Sequence, residues 1–149
     1  MPVIQHEIAS DCFDSRQIQL VNHEKLRTQG HKILIVDDDR DVCLGLHVRL
    51  KANYYDTCFA HDASSAISTA LYELPDLIIL DIGLPGDDGY TVLQRMHAFP
   101  ELDGIPVVIV TGRDRFTHEK ISRGAGASRF FEKPIDNRRL LSSIRELLD

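Results

Sequence analysis

The chain has 149 residues, 43% hydrophobic and 27% charged, enough to bury the core of one soluble globular domain. Its net charge of −6 lacks the basic footprint of a general nucleic-acid binder. Three cysteines (Cys12, Cys43, Cys58) and scattered histidines lack zinc-site or disulfide-framework spacing, and neither a signal peptide nor a transmembrane-length run is present; these features predict a cytoplasmic chain with reduced thiols and no membrane insertion.

Residues 1–31 form an N-terminal extension outside the pattern that follows. "DSRQIQLVNHEKLRTQG", with Asp14 or Ser15 as cap and Gly30 as stop, is compatible with a helix whose Ile18, Leu20, Val21 and Leu26 make a ragged face. It reads either as a mobile or loosely docked arm, the usual state of a terminal segment, or as a helix used for dimerisation or partner docking. Residues 32–149 then alternate short apolar runs with helix-period segments. "KILIVDDD" is a buried strand, and "RDVCLGLHVRLKAN" sets Val42, Cys43, Leu46 and Leu50 on one helical face, capped by Asp39 or Asp41. "YDTCFA" is a weaker strand. "DASSAISTALYEL" carries Ala63, Ala66, Ile67, Ala70, Leu71 and Leu74 at amphipathic spacing, with Asp62 as N-cap and Pro75 beyond its end. A third strand lies in "DLIILDIGLPGDDG", followed by a short helix with Val92, Leu93 and Met96 inward. "PVVIVTG" is the fourth strand, "DRFTHEKISRGAGA" a helix of weak pattern, and "RFFEKP" the fifth strand. A last helix, capped by Asp136, aligns Leu140, Leu141, Ile144, Leu147 and Leu148.

Five strands alternating with helices predict an α/β doubly wound parallel sheet, and right-handed crossovers favour the order 2-1-3-4-5. Ligands of such sheets bind at the carboxyl ends of the strands. There strand one ends in Asp37-Asp38-Asp39, strand three in Asp81, strand four in Thr111-Gly112 and strand five in Lys133-Pro134, while strand two contributes nothing. Singly, each residue has a plainer role as cap, turn residue or solvated lysine. Together they crowd carboxylates that repel by about 4 kcal/mol per pair at roughly 4 Å and an effective dielectric of about 20. One lysine is too little compensation, and Mg²⁺, which takes one or two carboxylates and keeps room for a phosphate oxygen, resolves the deficit. Metal, lysine and hydroxyl around a carboxylate nucleophile make a phosphoryl-transfer constellation.

With "ILIVDDD", "DLIILDIGLPGDDG", "PVVIVTG" and "FFEKP" in this order, residues 32–149 resemble the receiver domain of two-component response regulators, of flavodoxin-like fold. The resemblance implies that Asp81 accepts a phosphoryl group from the phosphohistidine of a sensor histidine kinase or histidine phosphotransfer protein. It implies Mg²⁺ held by Asp38 directly, by Asp37 largely through water, by Asp81 and by the Gly83 carbonyl. Thr111 and Lys133 would bond phosphoryl oxygens, Phe130 would be the switch aromatic, and Lys133–Pro134 is expected to be cis. Gly86 and Gly89 would allow the turn after Leu84-Pro85, and Gly112 would keep the entrance beside Thr111 open. The output face would be the fourth helix, fifth strand and fifth helix, and a phosphorylation-dependent homodimer belongs to the same expectation. Gly83 and Arg113, at positions that tune dephosphorylation in the family, suggest slow-to-moderate loss of phosphate. Such a domain is a signalling phosphoacceptor rather than an enzyme.

The main rival, an aspartate-nucleophile hydrolase of the haloacid dehalogenase type, fits Asp37 and Asp39 but needs threonine or valine where Asp41 stands, and room for a cap domain. A receiver-like scaffold that is never phosphorylated would be suggested by loss of the acceptor or the lysine, and both are present. The chain stops at Asp149, which suits a single-domain regulator or a receiver fragment of a longer one. Arg138, Arg139 and Arg145 read as a partner-facing surface rather than a nucleic-acid site.

Overall fold

Among the described residues, aspartates cap the starts of four helices. The side chains of Asp39, Asp62, Asp114 and Asp136 each accept a backbone N–H of the first turn, in extended conformations suited to N-caps. A computed structural model describes residues 30–85 and 89–149. The elements are β1 (Lys32–Val36), α1 (Arg40–Ala52), β2 (Asp56–Ala60), α2 (Ala63–Glu73), β3 (Leu77–Leu80), α3 (Gly89–Met96), β4 (Val107–Thr111), α4 (Arg115–Gly124), β5 (Arg129–Glu132) and α5 (Asn137–Leu148). The proposed N-terminal helix and the extension up to residue 29 lie outside the described residues, as does Gly86.

All strand pairs are parallel, in the order β2-β1-β3-β4-β5 expected from the sequence. The period-2 alternation of strands divides the apolar runs between two layers. Leu34, Val36, Ile78, Leu80, Val107 and Ile109 join Ile67, Val92, Leu93 and Met96 of α2 and α3 on one face. Ile33, Ile35, Leu77, Ile79, Val108 and Val110 join Leu46, Leu50, Leu140 and Ile144 of α1 and α5 on the other. Continuous apolar strands are what a sheet covered on both faces requires. Val42, Leu141, Leu147 and Leu148 only flank that second layer.

Helix α4 departs from this scheme. Its buried residue is Ser122, while Phe116 is 99% and Ile121 52% exposed. The weak apolar pattern of its sequence is therefore a property of the helix itself. No helix of the described residues is long and apolar enough to cross a membrane.

Close packing also fixes one glycine beside the sheet's carboxyl edge. A Cβ on Gly89 would stand 2.6 Å from both the Asp81 carbonyl oxygen and the Ile82 Cα, backbone atoms that cannot step aside. Gly89→Ala is expected to cost about 1–3 kcal/mol of stability through overpacking, read from urea unfolding midpoints at unchanged slope.

Candidate functional site

The register of the sheet decides where the polar residues meet. Val36 pairs with Leu80, so Asp37 and Asp81, each one residue further on, emerge side by side. Sheet hydrogen bonding continues past the strand ends, Asp81 N–H to Val36 O at 2.9 Å and Asp37 N–H to Ala60 O at 3.1 Å, which holds both backbones. The third neighbour, β4, delivers Thr111, and the Lys133 amide donates to the Thr111 carbonyl at 2.7 Å.

Asp37, Asp81 and Thr111 are buried, Lys133 is half-buried and Asp38 is exposed. Asp81 Oδ1 accepts from the Thr111 hydroxyl at 2.7 Å and from the Gly83 N–H at 2.7 Å. Lys133 Nζ bridges the two buried acids, 2.8 Å from Asp37 Oδ2 and 3.2 Å from Asp81 Oδ2. The Asp39 N–H donates to Asp37 Oδ1 at 2.9 Å, so Asp39 caps α1 with its side chain and orients Asp37 with its backbone. One carboxylate oxygen from each of Asp37, Asp38 and Asp81 lies within 4.8 Å of the others. An all-oxygen set with one exposed member suits a hard divalent cation and not zinc.

The structure thus brings together Asp37, Asp38, Asp81, Thr111, Lys133 and Gly83. Gly83, expected to contribute only its carbonyl, also bonds Asp81 through its N–H. The Lys133–Pro134 peptide is cis. Phe130 stands apart, buried in the apolar layer of α2 and α3, with its carbonyl accepting from Arg115 Nη2 at 3.2 Å. Arg113, two residues beyond Thr111, has its Nε 3.7 Å from where a Gly83 Cβ would be, and its N–H donates to Thr111 Oγ1 at 3.3 Å.

Burial pushes the Asp37 carboxyl above its ordinary range despite the Lys133 hydrogen bond. Burial pulls the Lys133 ammonium down, but the hydrogen bond to Asp37 and the charge of Asp81 outweigh it, and the net shift is upward. The two directions are compatible: the lysine faces two acids, whereas Asp37 shares one lysine and a dry wall. Cys43 is no competing nucleophile, because burial and then the charge of Asp37 push its thiol up to about 11.

One expectation needs correcting. β2 does contribute to this rim, through His61, the residue after its last. His61 Nδ1 lies 2.9 Å from the Asp37 carbonyl oxygen, an acceptor, so Nδ1 carries the proton, and Nε2 faces Arg40 Nη1 at 3.4 Å. The ring fastens the acidic loop to the sheet edge. In the sequence the only signal was a lone histidine after a weak strand, which does not distinguish a rim residue from a solvated one.

Replacing Lys133 with methionine leaves two buried carboxylates facing each other. The variant is expected to lose about 3 kcal/mol at pH 7, the lower end for breaking a buried charge pair. A lysine whose folded pKa is raised stabilises fully below its unfolded value of 10.5 and ceases to as pH rises through the higher folded value. The gap between wild type and Lys133→Met in urea unfolding should therefore persist to about pH 10 and shrink above it.

A family model, the response regulator receiver domain, matches residues 33–145. The response regulator PleD of Caulobacter vibrioides is 38% identical over 116 residues, which cover 78% of this chain and 26% of PleD. The chain thus spans about a quarter of that relative's length. A putative response regulator from Chloroflexus aurantiacus superimposes with a TM-score of 0.75 at 30% identity, over 79% of this chain and 97% of that one. The BeF3-activated N-terminal receiver domain of Klebsiella pneumoniae RstA gives a TM-score of 0.73 at 30% identity, over 79% and 98%. The sheet order, the acids gathered at its carboxyl edge and this family match agree: the chain belongs to the response regulator receiver domains.

Proposed function

We propose that Asp81 is the phosphoacceptor of this receiver and that residues 32–149 form the receiver unit, with residues 1–31 as an extension. The observation that carries this reading is the convergence on one buried carboxylate of a hydroxyl, an ammonium and two further acids. An Asp81 carboxylate oxygen attacks the phosphorus of a phosphohistidine on a sensor histidine kinase or histidine phosphotransfer protein. The P–N bond breaks, its electron pair stays on the imidazole, and Asp81 becomes an acyl phosphate.

The residues around Asp81 position charge rather than supply covalent chemistry. Lys133, held between Asp37 and Asp81, faces the oxygens on which negative charge accumulates. Thr111, whose hydroxyl now donates to Asp81, turns the same donor to a phosphoryl oxygen. Asp37, Asp38, Asp81 and the Gly83 carbonyl are assigned to Mg²⁺, which when bound neutralises charge on the transferring group. Phe130 is assigned to the switch, and the surface of α4, β5 and α5 to the output partner or a second phosphorylated copy. A cytoplasmic site of action alongside the kinase completes the reading.

The test is direct. Incubated with Mg²⁺ and a phosphorylated kinase or acetyl phosphate, the wild type should gain one phosphoryl group, removable by hydroxylamine as acyl phosphates are. Asp81→Asn should gain none, and Asp38→Asn should need more Mg²⁺ for the same labelling. Calorimetric titration with beryllofluoride should show Mg²⁺-dependent binding to the wild type alone. An unlabelled wild type, or label retained in Asp81→Asn, would overturn the assignment.

A further inference from the structure

Helix α4 is fastened by polar contacts instead of apolar burial. Its one buried side chain is Ser122, whose hydroxyl finds no partner among the described residues. At its start, Arg115 N–H donates to Glu132 Oε1 at 3.0 Å and Arg115 Nη2 to the Phe130 carbonyl at 3.2 Å. On its side, His118 Nδ1 meets the Tyr90 hydroxyl of α3 at 2.8 Å. At its end the tether is His97, one residue beyond α3. His97 Nε2 lies 3.2 Å from the carbonyl oxygen of Ala125, the C-cap of α4, and its Nδ1 lies 3.0 Å from Asp103 Oδ1 on the α3–β4 connection.

Both of these partners are acceptors without a proton to give. A neutral imidazole has one N–H and can satisfy only one of them, whereas the imidazolium donates to both. The cation also sits against the negative end of a helix, where positive charge is favoured. The turn is shaped around the ring: Gly126 has a φ of 109°, and a Cβ there would stand 2.9 Å from Nε2.

We propose that His97 is a protonation-controlled clasp, closed as the imidazolium between Asp103 and the end of α4, and released from one of the two when neutral.

Among the described residues, the ring's hydrogen-bond partners are Asp103 and the Ala125 carbonyl. Asp103 is the charged partner from the α3–β4 connection. Arg123, in the last turn of α4, is paired with Glu119 at 3.0 Å. The other residues around the cavity of about 250 Å³ beneath the ring, from Leu93 on α3 to Ser128 before β5, carry no charge. The hydrogen bond to Asp103 and then that to Ala125 raise the ring above its ordinary 6.5. The clasp is therefore closed below that value and opens as pH rises through the raised one. Above that raised value α4 is less firmly held.

Hydrogen exchange on the unphosphorylated full chain at pH 6 and pH 8.5, corrected for intrinsic rates, tests this together with ring ¹⁵N shifts. Protection in the last turn of α4 and through Ala127 is expected to fall about two- to five-fold, the range for an exposed charged pair. His97→Gln should remove that pH dependence, Asp103→Asn should lower the ring's titration midpoint, and Tyr90→Phe, which removes the hydroxyl's hydrogen bond to His118, should leave the dependence in place. A ring bearing a single proton at pH 6, or a dependence that survives in His97→Gln, overturns the clasp. No phosphoryl transfer enters the measurement, so its outcome stands apart from that of the Asp81 labelling.

Discussion

The ammonium of Lys133 between Asp37 and Asp81 is the contact on which the site depends. Two carboxylates this close repel by several kcal/mol at protein-like dielectrics, and Asp38 adds a third negative charge at the rim. The lysine comes from 96 positions beyond Asp37 and 52 beyond Asp81, so the neutralising charge arrives only when β1, β3 and β5 share one sheet. Assembly of the sheet and assembly of the pocket are one event. The register Val36–Leu80 sets the acids side by side, and the bond from Lys133 N to Thr111 O sets the lysine and hydroxyl at fixed offset.

One ammonium against three acids leaves an excess of negative charge, and the protein offsets part of it with backbone dipoles. The Gly83 and Asp39 amides each donate to a buried carboxylate oxygen. Such donors stabilise the ionised form without adding a mobile charge. What remains uncompensated is aimed at the exposed side, where Asp38 stands. The two apolar layers carry the stability that this arrangement does not supply: every residue of β3 and β4, and all of β1 but Lys32, is buried beneath the rim.

Much of this was legible in the chain because the relevant signals are local. Ile33 to Val36 and Leu77 to Leu80 announce two-sided burial by unbroken apolar character, and Asp39, Asp62 and Asp136 announce helix starts by chemistry at the cap. The polar rim could be read because strand ends are predictable and parallel topology puts them together. The remainder rests on tertiary contacts that leave no local trace. His61 acquires a role only because the end of β2 lies beside the Asp37 carbonyl. Tyr54 and Leu74 adopt positive φ values of 69° and 48° at helix ends where glycine is the usual residue, so no sequence rule marks them. His97 and His118 are ordinary exposed histidines until α3 and α4 are placed side by side.

The contrast between α4 and α5 gives the surface they share two kinds of stiffness. Helix α5 inserts Leu140 and Ile144 into the apolar layer and is anchored by burial. Helix α4 has no such anchor, and polar tethers that water can replace set its position. Strand β5 joins both to the pocket: Lys133 follows it, and Phe130 lies within it, its carbonyl bonded to the first residue of α4. Added charge on Asp81 would act first on Thr111 and Lys133, the groups bonded to its carboxylate. Those two are linked to each other through the backbone at the end of β5. A shift of that strand would meet less apolar packing at α4, which is held mainly by polar and ring contacts, than at α5, which is held by burial.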